Sequence, residues 1–211
     1  MIYRSPYPDV DIPNVPLQDF LFERAEKYAD KPALIDGPTG RTITYSQLVG
    51  AVRRTAAGLA ARGFRKGDVF AIYSPNIPEY AIAFFGVATA GGANTTVNPL
   101  YTSDELKRQL TDSQAKFLVT IPQFLDKAQE AVKGTAVQEV FVFGEAEGAT
   151  PFAALMQGAD EPPVVEIDCS QARIGDMSAM EIINTVGKRY KDSGKELKLA
   201  GVRPQCRRMV A

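Results

Sequence analysis

The sequence predicts an α/β fold: a mostly parallel sheet with helices on both faces. Three observations predict it. Short apolar runs such as Val69-Phe70-Ala71-Ile72-Tyr73 read as strands buried on both faces. Stretches with apolar residues at helical spacing lie between those runs. The two kinds of segment alternate along the chain, the pattern of strand–helix–strand crossovers.

The elements follow in order. Leu17 to Lys27 reads as a helix with Phe20, Leu21 and Ala25 on one face. Ala33 to Asp36 and Thr42 to Tyr45 flank the turn Gly37-Pro38-Thr39-Gly40, which predicts a hairpin. Thr44 and Gln47 have capping-box spacing, ahead of a helix with Leu48, Val52, Ala56 and Leu59 on its inner face. Arg62-Gly63 ends that helix. After the strand Val69 to Tyr73, Asn76 and Glu79 have the same box spacing, and Pro78 suits a first helical turn. The helix from Glu79 to Ala90 stops at Gly91-Gly92, and Ala93 to Val97 is a strand. Thr102 and Glu105 cap a helix to about Asp112. Lys116 to Thr120 is a strand, Pro122 to Val132 a helix and Val137 to Phe143 a strand. Gly144 to Pro163 is looser, with one short helix around Phe152 to Met156. Val164 to Ile167 resumes as a strand expected to join the same sheet, in one continuous unit. Met177 to Tyr190 is a helix, Leu197 to Val202 a strand, and a last helix starts at Arg203.

Composition narrows the chemistry. The 211 residues include no histidine, which excludes Ser-His-Asp and Cys-His catalysis and histidine-ligated metals. Cys169 and Cys206 cannot make a four-thiolate zinc site, so no metal site is expected; two late cysteines without a signal peptide suggest the cytoplasm. The most apolar long stretch, Tyr80 to Val97, is interrupted by Thr89, Gly91, Gly92 and Asn94, so no membrane span is expected. The net charge of −1 argues against nucleic acid. Charge is uneven, however. Lys188 to Ala211 carries +6, and the rest of the chain −7. The basic tail is a solvated helix face or a surface for RNA or acidic lipid, and its lack of aromatics apart from Tyr190 favours the former.

Residues 17 to 168 resemble the N-terminal part of adenylate-forming acyl-CoA ligases of the 4-coumarate–CoA ligase type. The resemblance rests on Pro32-Ala33-Leu34-Ile35-Asp36, Ile43-Thr44-Tyr45-Ser46-Gln47-Leu48 and Arg65-Lys66-Gly67-Asp68-Val69. Ser74-Pro75-Asn76-Ile77-Pro78-Glu79-Tyr80, Ala90-Gly91-Gly92-Ala93 and Val97-Asn98-Pro99-Leu100-Tyr101-Thr102 continue it in the family's order. The resemblance implies chemistry with ATP, magnesium and coenzyme A, in which a carboxylic acid becomes an acyl-adenylate and then a thioester. It also implies that these segments are scaffold. The family's phosphate loop would follow the strand ending at Asp168, but the chain there reads Cys169-Ser170-Gln171-Ala172-Arg173-Ile174-Gly175-Asp176. The glycine- and threonine-rich run Gly86 to Thr96 holds no lysine; it is a packing turn or a nucleotide-binding turn.

Residues 165 to 211 are similar to the second half of a STAS domain, the module of sulphate-permease tails and anti-sigma antagonists. Val165 to Arg173, Asp176-Met177-Ser178-Ala179 and Gly194 to Val202 carry that similarity. In its signalling members the serine matching Ser178 is phosphorylated, and a helix N-terminus suits a phosphate. From the residues themselves, Asp176 or Ser178 caps the helix.

The expected organisation is therefore a ligase-like body, 1–168, truncated relative to the family, and a STAS-like tail, 169–211. Such a chain is expected to be a non-catalytic fragment or fusion, inactive in isolation, with no catalytic residue and no cofactor of its own. The alternatives are a STAS-like regulatory module and a ligase active with a complementing chain. An open edge or apolar surface on the body would suit a homodimer or that complementing chain.

Overall fold

The computed structural model describes residues 6–8, 10, 12–157, 164–168, 187, 191 and 196–200. The chain divides into two units, Met1–Ala159 and Asp160–Ala211.

The first unit opens on helix α1, Leu17–Phe22, followed by a separate 3-10 turn, Glu26–Tyr28. This corrects the single helix expected to Lys27. Phe20 and Leu21 are exposed, and Phe22 makes the inward contact, its ring 5.4 Å from Phe85 edge to face. The break lets Tyr28 turn in against Tyr45 while Ala25 is buried. A short helix is set by its tertiary contacts more than by its own periodicity.

Strands β1, Pro32–Ile35, and β2, Thr42–Thr44, form the antiparallel hairpin. Helix α2, Tyr45–Ala61, starts on a complete capping box: the Gln47 amide donates to Thr44 Oγ1 at 3.3 Å, and the Thr44 amide donates to Gln47 Oε1 at 2.9 Å. Gly63 then takes φ +76°, a conformation glycine adopts without penalty.

Strand β3, Val69–Tyr73, leads to helix α3, Pro78–Thr89. Here the expected Asn76–Glu79 capping box does not form. Ile77 occupies the cap position in an extended conformation (φ −127°, ψ 159°), and Pro78 is the first helical residue. A residue before proline is driven away from helical dihedrals, which sets the start one residue later than the box requires. Glu79 instead pairs with Arg41 of the hairpin.

Strand β4, Ala93–Val97, precedes helix α4, Ser103–Ser113, whose Thr102–Glu105 capping box is complete. Strand β5, Phe117–Thr120, is followed by a 3-10 turn, Pro122–Phe124, and helix α5, Leu125–Ala131, in place of the single expected helix. Strand β6 is Glu139–Val142. The looser region after it holds an unexpected two-residue strand β7, Thr150–Pro151, and the 3-10 turn Phe152–Leu155.

The sheet order is β4-β3-β5-β6-β7, with every neighbouring pair parallel. Successive side chains of a strand point to opposite faces, and the two cores divide accordingly. Phe70, Ile72, Phe117, Val119 and Phe141 pack with α2 and α3, through Val52, Leu59, Ala83 and Val87. Ala71, Tyr73 and Leu118 pack with α4 and α5, through Leu106, Leu110 and Ala128. This is the predicted α/β architecture, with a parallel sheet flanked by helices.

In the second unit, strand β8, Val164–Asp168, pairs in parallel with strand β9, Glu196–Ala200, in register from Val164↔Glu196 to Asp168↔Ala200. Among the described residues these two strands form a sheet of their own. The expectation that Val164 to Ile167 joins the main sheet is thereby corrected. The segment 169–195 exceeds the roughly dozen residues a parallel crossover needs, so β8 finds its partner within its own unit. Gly187 and Lys191, between the strands, are helical. The rest of the expected Met177–Tyr190 helix, the final helix and both cysteines lie outside the described residues.

Candidate functional site

In an open parallel sheet, ligands bind beyond the carboxyl ends of the strands, where the strand order reverses. Here the chain runs from β3 outward to β4, then returns across β3 to β5. The reversal point lies between β3 and β5, and the segments leaving these strands are Ser74 to Ile77 and the residues after Thr120.

The polar groups at this edge come directly from the strand ends. Thr120 is fully buried, and its hydroxyl donates to the Tyr73 carbonyl at 2.9 Å, tying β5 to β3. The Tyr73 hydroxyl donates to the Tyr101 carbonyl at 3.1 Å, in the segment after β4, with the Pro99 carbonyl at 3.4 Å. Lys127 Nζ reaches the same Tyr101 carbonyl at 3.3 Å from α5. Buried Ser74 donates to the Pro75 carbonyl at 2.9 Å. Asn98 Oδ1 accepts from the Leu100 amide, and Asn76 is exposed. Tyr80, in the first turn of α3, has its pKa raised by burial, partly opposed by a hydrogen bond with Thr96, so its phenol stays protonated. These groups hold loops in place. Three hydroxyls and a lysine are bonded to main-chain carbonyls.

The other perturbed acids are structural. Asp68, at the opposite end of β3, is held below the usual carboxylate range by the hydrogen bond from Lys116 and by the Arg65 amide. Glu105 is lowered by the Thr102 amide and hydroxyl within the α4 capping box.

The Gly86–Thr96 run is a packing element. A Cβ on Gly86 would sit 2.6 Å from Thr55 Cγ2, and one on Gly92 would sit 2.3 Å from Phe64 Cε1. The glycines are there because neighbouring side chains occupy that space. An open groove along α4 is lined by Tyr101, Asp104, Glu105, Lys107, Arg108 and Asp112, among others. Its mixed signs favour neither an anion nor a cation. Among the described residues no group of three or more acidic or cysteine side chains could hold a metal ion. No helix among them is long and apolar enough to cross a membrane.

The sequence-derived candidates Asp176 and Ser178 lie outside the described residues. Sequence reading missed the Tyr73–Tyr101 and Thr120–Tyr73 contacts. A tyrosine or threonine ending an apolar strand gives a hint of such a bond, but the acceptor lies elsewhere in the sequence.

The fold and this edge define an α/β body whose strand ends are tied by side-chain bonds to main-chain carbonyls. The chain belongs to the AMP-binding enzyme family, whose sequence profile matches residues 21–173. It is 38% identical to 4-coumarate–CoA ligase 1 of Petroselinum crispum over 168 residues, 79% of this chain and 31% of that protein. It is 46% identical to 4-coumarate–CoA ligase 3 of Arabidopsis thaliana over 127 residues, 60% of this chain and 23% of that protein. Among solved structures, a long-chain-fatty-acid–CoA ligase from Archaeoglobus fulgidus superposes with a TM-score of 0.65 at 25% identity, covering 73% of this chain and 32% of that one. The chain thus spans under a third of the length of these curated relatives.

Proposed function

We propose that residues 17–168 supply the N-terminal body of an acyl-CoA ligase of the 4-coumarate type, and that this body is architectural. In this reading ATP, magnesium and coenzyme A are handled by parts of the family fold outside this chain. The observation that carries it is the bonding at the strand ends: Tyr73, Ser74, Thr120 and Lys127 all donate to main-chain carbonyls. Groups engaged in this way position loops for chemistry contributed by other residues. The test has two arms. The purified chain with ATP, magnesium and 4-coumarate should release no pyrophosphate above a heat-killed control. A hybrid in which residues 17–168 replace the matching segment of the Petroselinum ligase should retain 4-coumarate-dependent adenylation. An inactive but folded hybrid would sink the reading.

A second reading concerns the tail. The parallel β8–β9 pair, with helical Gly187 and Lys191 between its strands, supports a strand–helix–strand unit of the kind that forms the second half of a STAS domain. In that reading the tail is an interaction module and Ser178 stands at its helix start. A phosphomimetic Ser178→Asp that alters capture of a partner, with Ser178→Ala folded and silent, would support it. Identical behaviour of both variants would count against it.

A further inference from the structure

Strand β4 ends the main sheet: among the described residues it pairs with β3 alone. Its centre, Asn94-Thr95-Thr96, is polar, whereas its neighbour β3 is apolar throughout. An edge strand presents a row of main-chain donors and acceptors that another strand can pair with. Which groups face outward follows from the pairing. The Ala93 amide donates to the Asp68 carbonyl at 2.9 Å, and the Gly67 amide donates to the Gly91 carbonyl at 3.0 Å, both on the β3 side. Main-chain groups of successive residues point to alternate sides of a strand, so those of Ala93, Thr95 and Val97 face β3. Those of Asn94 and Thr96 face the edge.

This edge is covered from α4. The Gln109 side-chain amide donates to Thr95 Oγ1 at 2.9 Å and to the Thr96 carbonyl at 3.0 Å. The second of these bonds occupies an outward acceptor of β4. On the other face of the sheet Asn94 Nδ2 donates to the Phe84 carbonyl of α3 at 3.0 Å, which draws that side chain onto the helix layer. Gln109 therefore supplies the side chain that reaches the outward main chain.

The strand that fits this edge best is β4 of a second copy. In an antiparallel pair, residues that exchange both main-chain bonds stand directly opposite each other. A two-fold axis at Thr95 sets Asn94 of each copy opposite Thr96 of the other, so one operation matches all the outward residues of both strands. The Thr96 carbonyl is an acceptor in that ladder, and Gln109 already holds it.

We propose that Gln109 is a guard on this edge: by holding the Thr96 carbonyl it keeps β4 from pairing with β4 of a second copy. The test compares the full chain with Gln109→Met, which keeps the length and removes the donor, and Gln109→Lys, which restores one. Light scattering over a concentration series measures self-association, and amide exchange locates it. Gln109→Met should associate about tenfold or more tightly than the wild type, the scale of one or two main-chain hydrogen bonds. Exchange at the Asn94 and Thr96 amides should slow as that variant is concentrated. The wild type and Gln109→Lys should show no such slowing. If Gln109→Met does not fold, Gln109→Ala replaces it, and loss of the fold in both would make Gln109 a structural support and overturn the guarding role. A folded variant that associates no more than the wild type overturns the proposal. So does association that leaves the Asn94 and Thr96 amides unchanged, or a wild type in which those amides already slow on concentration. Gln109→Lys behaving as Gln109→Met would show that donation to the carbonyl is not what keeps the copies apart, and would overturn it as well.

Discussion

Lys116 Nζ lies 2.7 Å from Asp68 Oδ2, joining the residues that lead into the neighbouring strands β5 and β3. The same ammonium donates to the Gly63 carbonyl at 2.7 Å, at the end of α2. One side chain thus ties together a helix end and two strand starts. The Arg65 amide donates to the same Asp68 oxygen at 2.8 Å, and both donors favour the ionised carboxylate.

A pH dependence follows from that arrangement. The folded pKa of Asp68 is below its unfolded value, so its contribution is present above about pH 3.9 and is lost as pH falls through the folded value. Asp68→Asn should remove that part of the acid sensitivity. Denaturant midpoints compared at neutral pH and near pH 3 should differ less for the variant than for the wild type. The pair is partly solvent-screened, so the neutral-pH cost should be about 1 kcal/mol or less. An unchanged pH profile would count against the assignment.

The close approach of α2 to the 3-10 turn Phe152–Leu155 sets a second expectation. A Cβ on Gly58 of α2 would sit 1.9 Å from the Leu155 carbonyl oxygen. That oxygen is backbone and cannot swing aside. Gly58→Ala must push α2 away from the 3-10 turn Phe152–Leu155, at a cost of about 1–3 kcal/mol or more. The gain in helix propensity offsets only about 1 kcal/mol. Urea unfolding should therefore show a lower midpoint; a stabilised variant would contradict the contact.

The caps give a paired comparison. Thr102 completes a capping box and Asn76 does not. Thr102→Ala should cost about 0.5–2 kcal/mol, and Asn76→Ala should stay within about 0.5 kcal/mol. Thermal melts of the two variants would check this, and equal losses would mean that Asn76 has a partner at the start of α3.

The same contrast shows which features were legible in the sequence. Thr44–Gln47 and Thr102–Glu105 were readable because each box closes within one turn. Asn76–Glu79 has similar spacing, but Pro78 displaced the helix start, and a local rule was overridden by another local rule. Val69 to Tyr73 declared itself by continuous apolar character. The break after Phe22 was hidden because the Phe22–Phe85 contact joins residues far apart in the chain. Strand β7 was hidden because two residues, one of them proline, carry no periodicity. At the candidate site, Tyr73 and Thr120 were visible as residues but their bonds were not. The Tyr101 carbonyl becomes the neighbour of Tyr73, and the Tyr73 carbonyl that of Thr120, only once β3, β4 and β5 are aligned side by side.

Tyr73 therefore tests the scaffold reading most directly. Its ring is fully buried, 5.2 Å from Phe124, and its hydroxyl reaches the Tyr101 carbonyl. Tyr73→Phe keeps the ring and removes that donor. Lys127 still donates to Tyr101, so the carbonyl keeps one partner. The loss should be about 0.5–1.5 kcal/mol. Because the bond holds the segment after β4, amide exchange should speed up around residues 98–102 more than in β5. In the hybrid ligase, the variant should lower the melting temperature while kcat per folded molecule stays unchanged, since a loop-holding hydroxyl touches no reacting atom. A large fall in kcat with stability intact would instead place Tyr73 in the chemistry and contradict an architectural role for this end of the sheet.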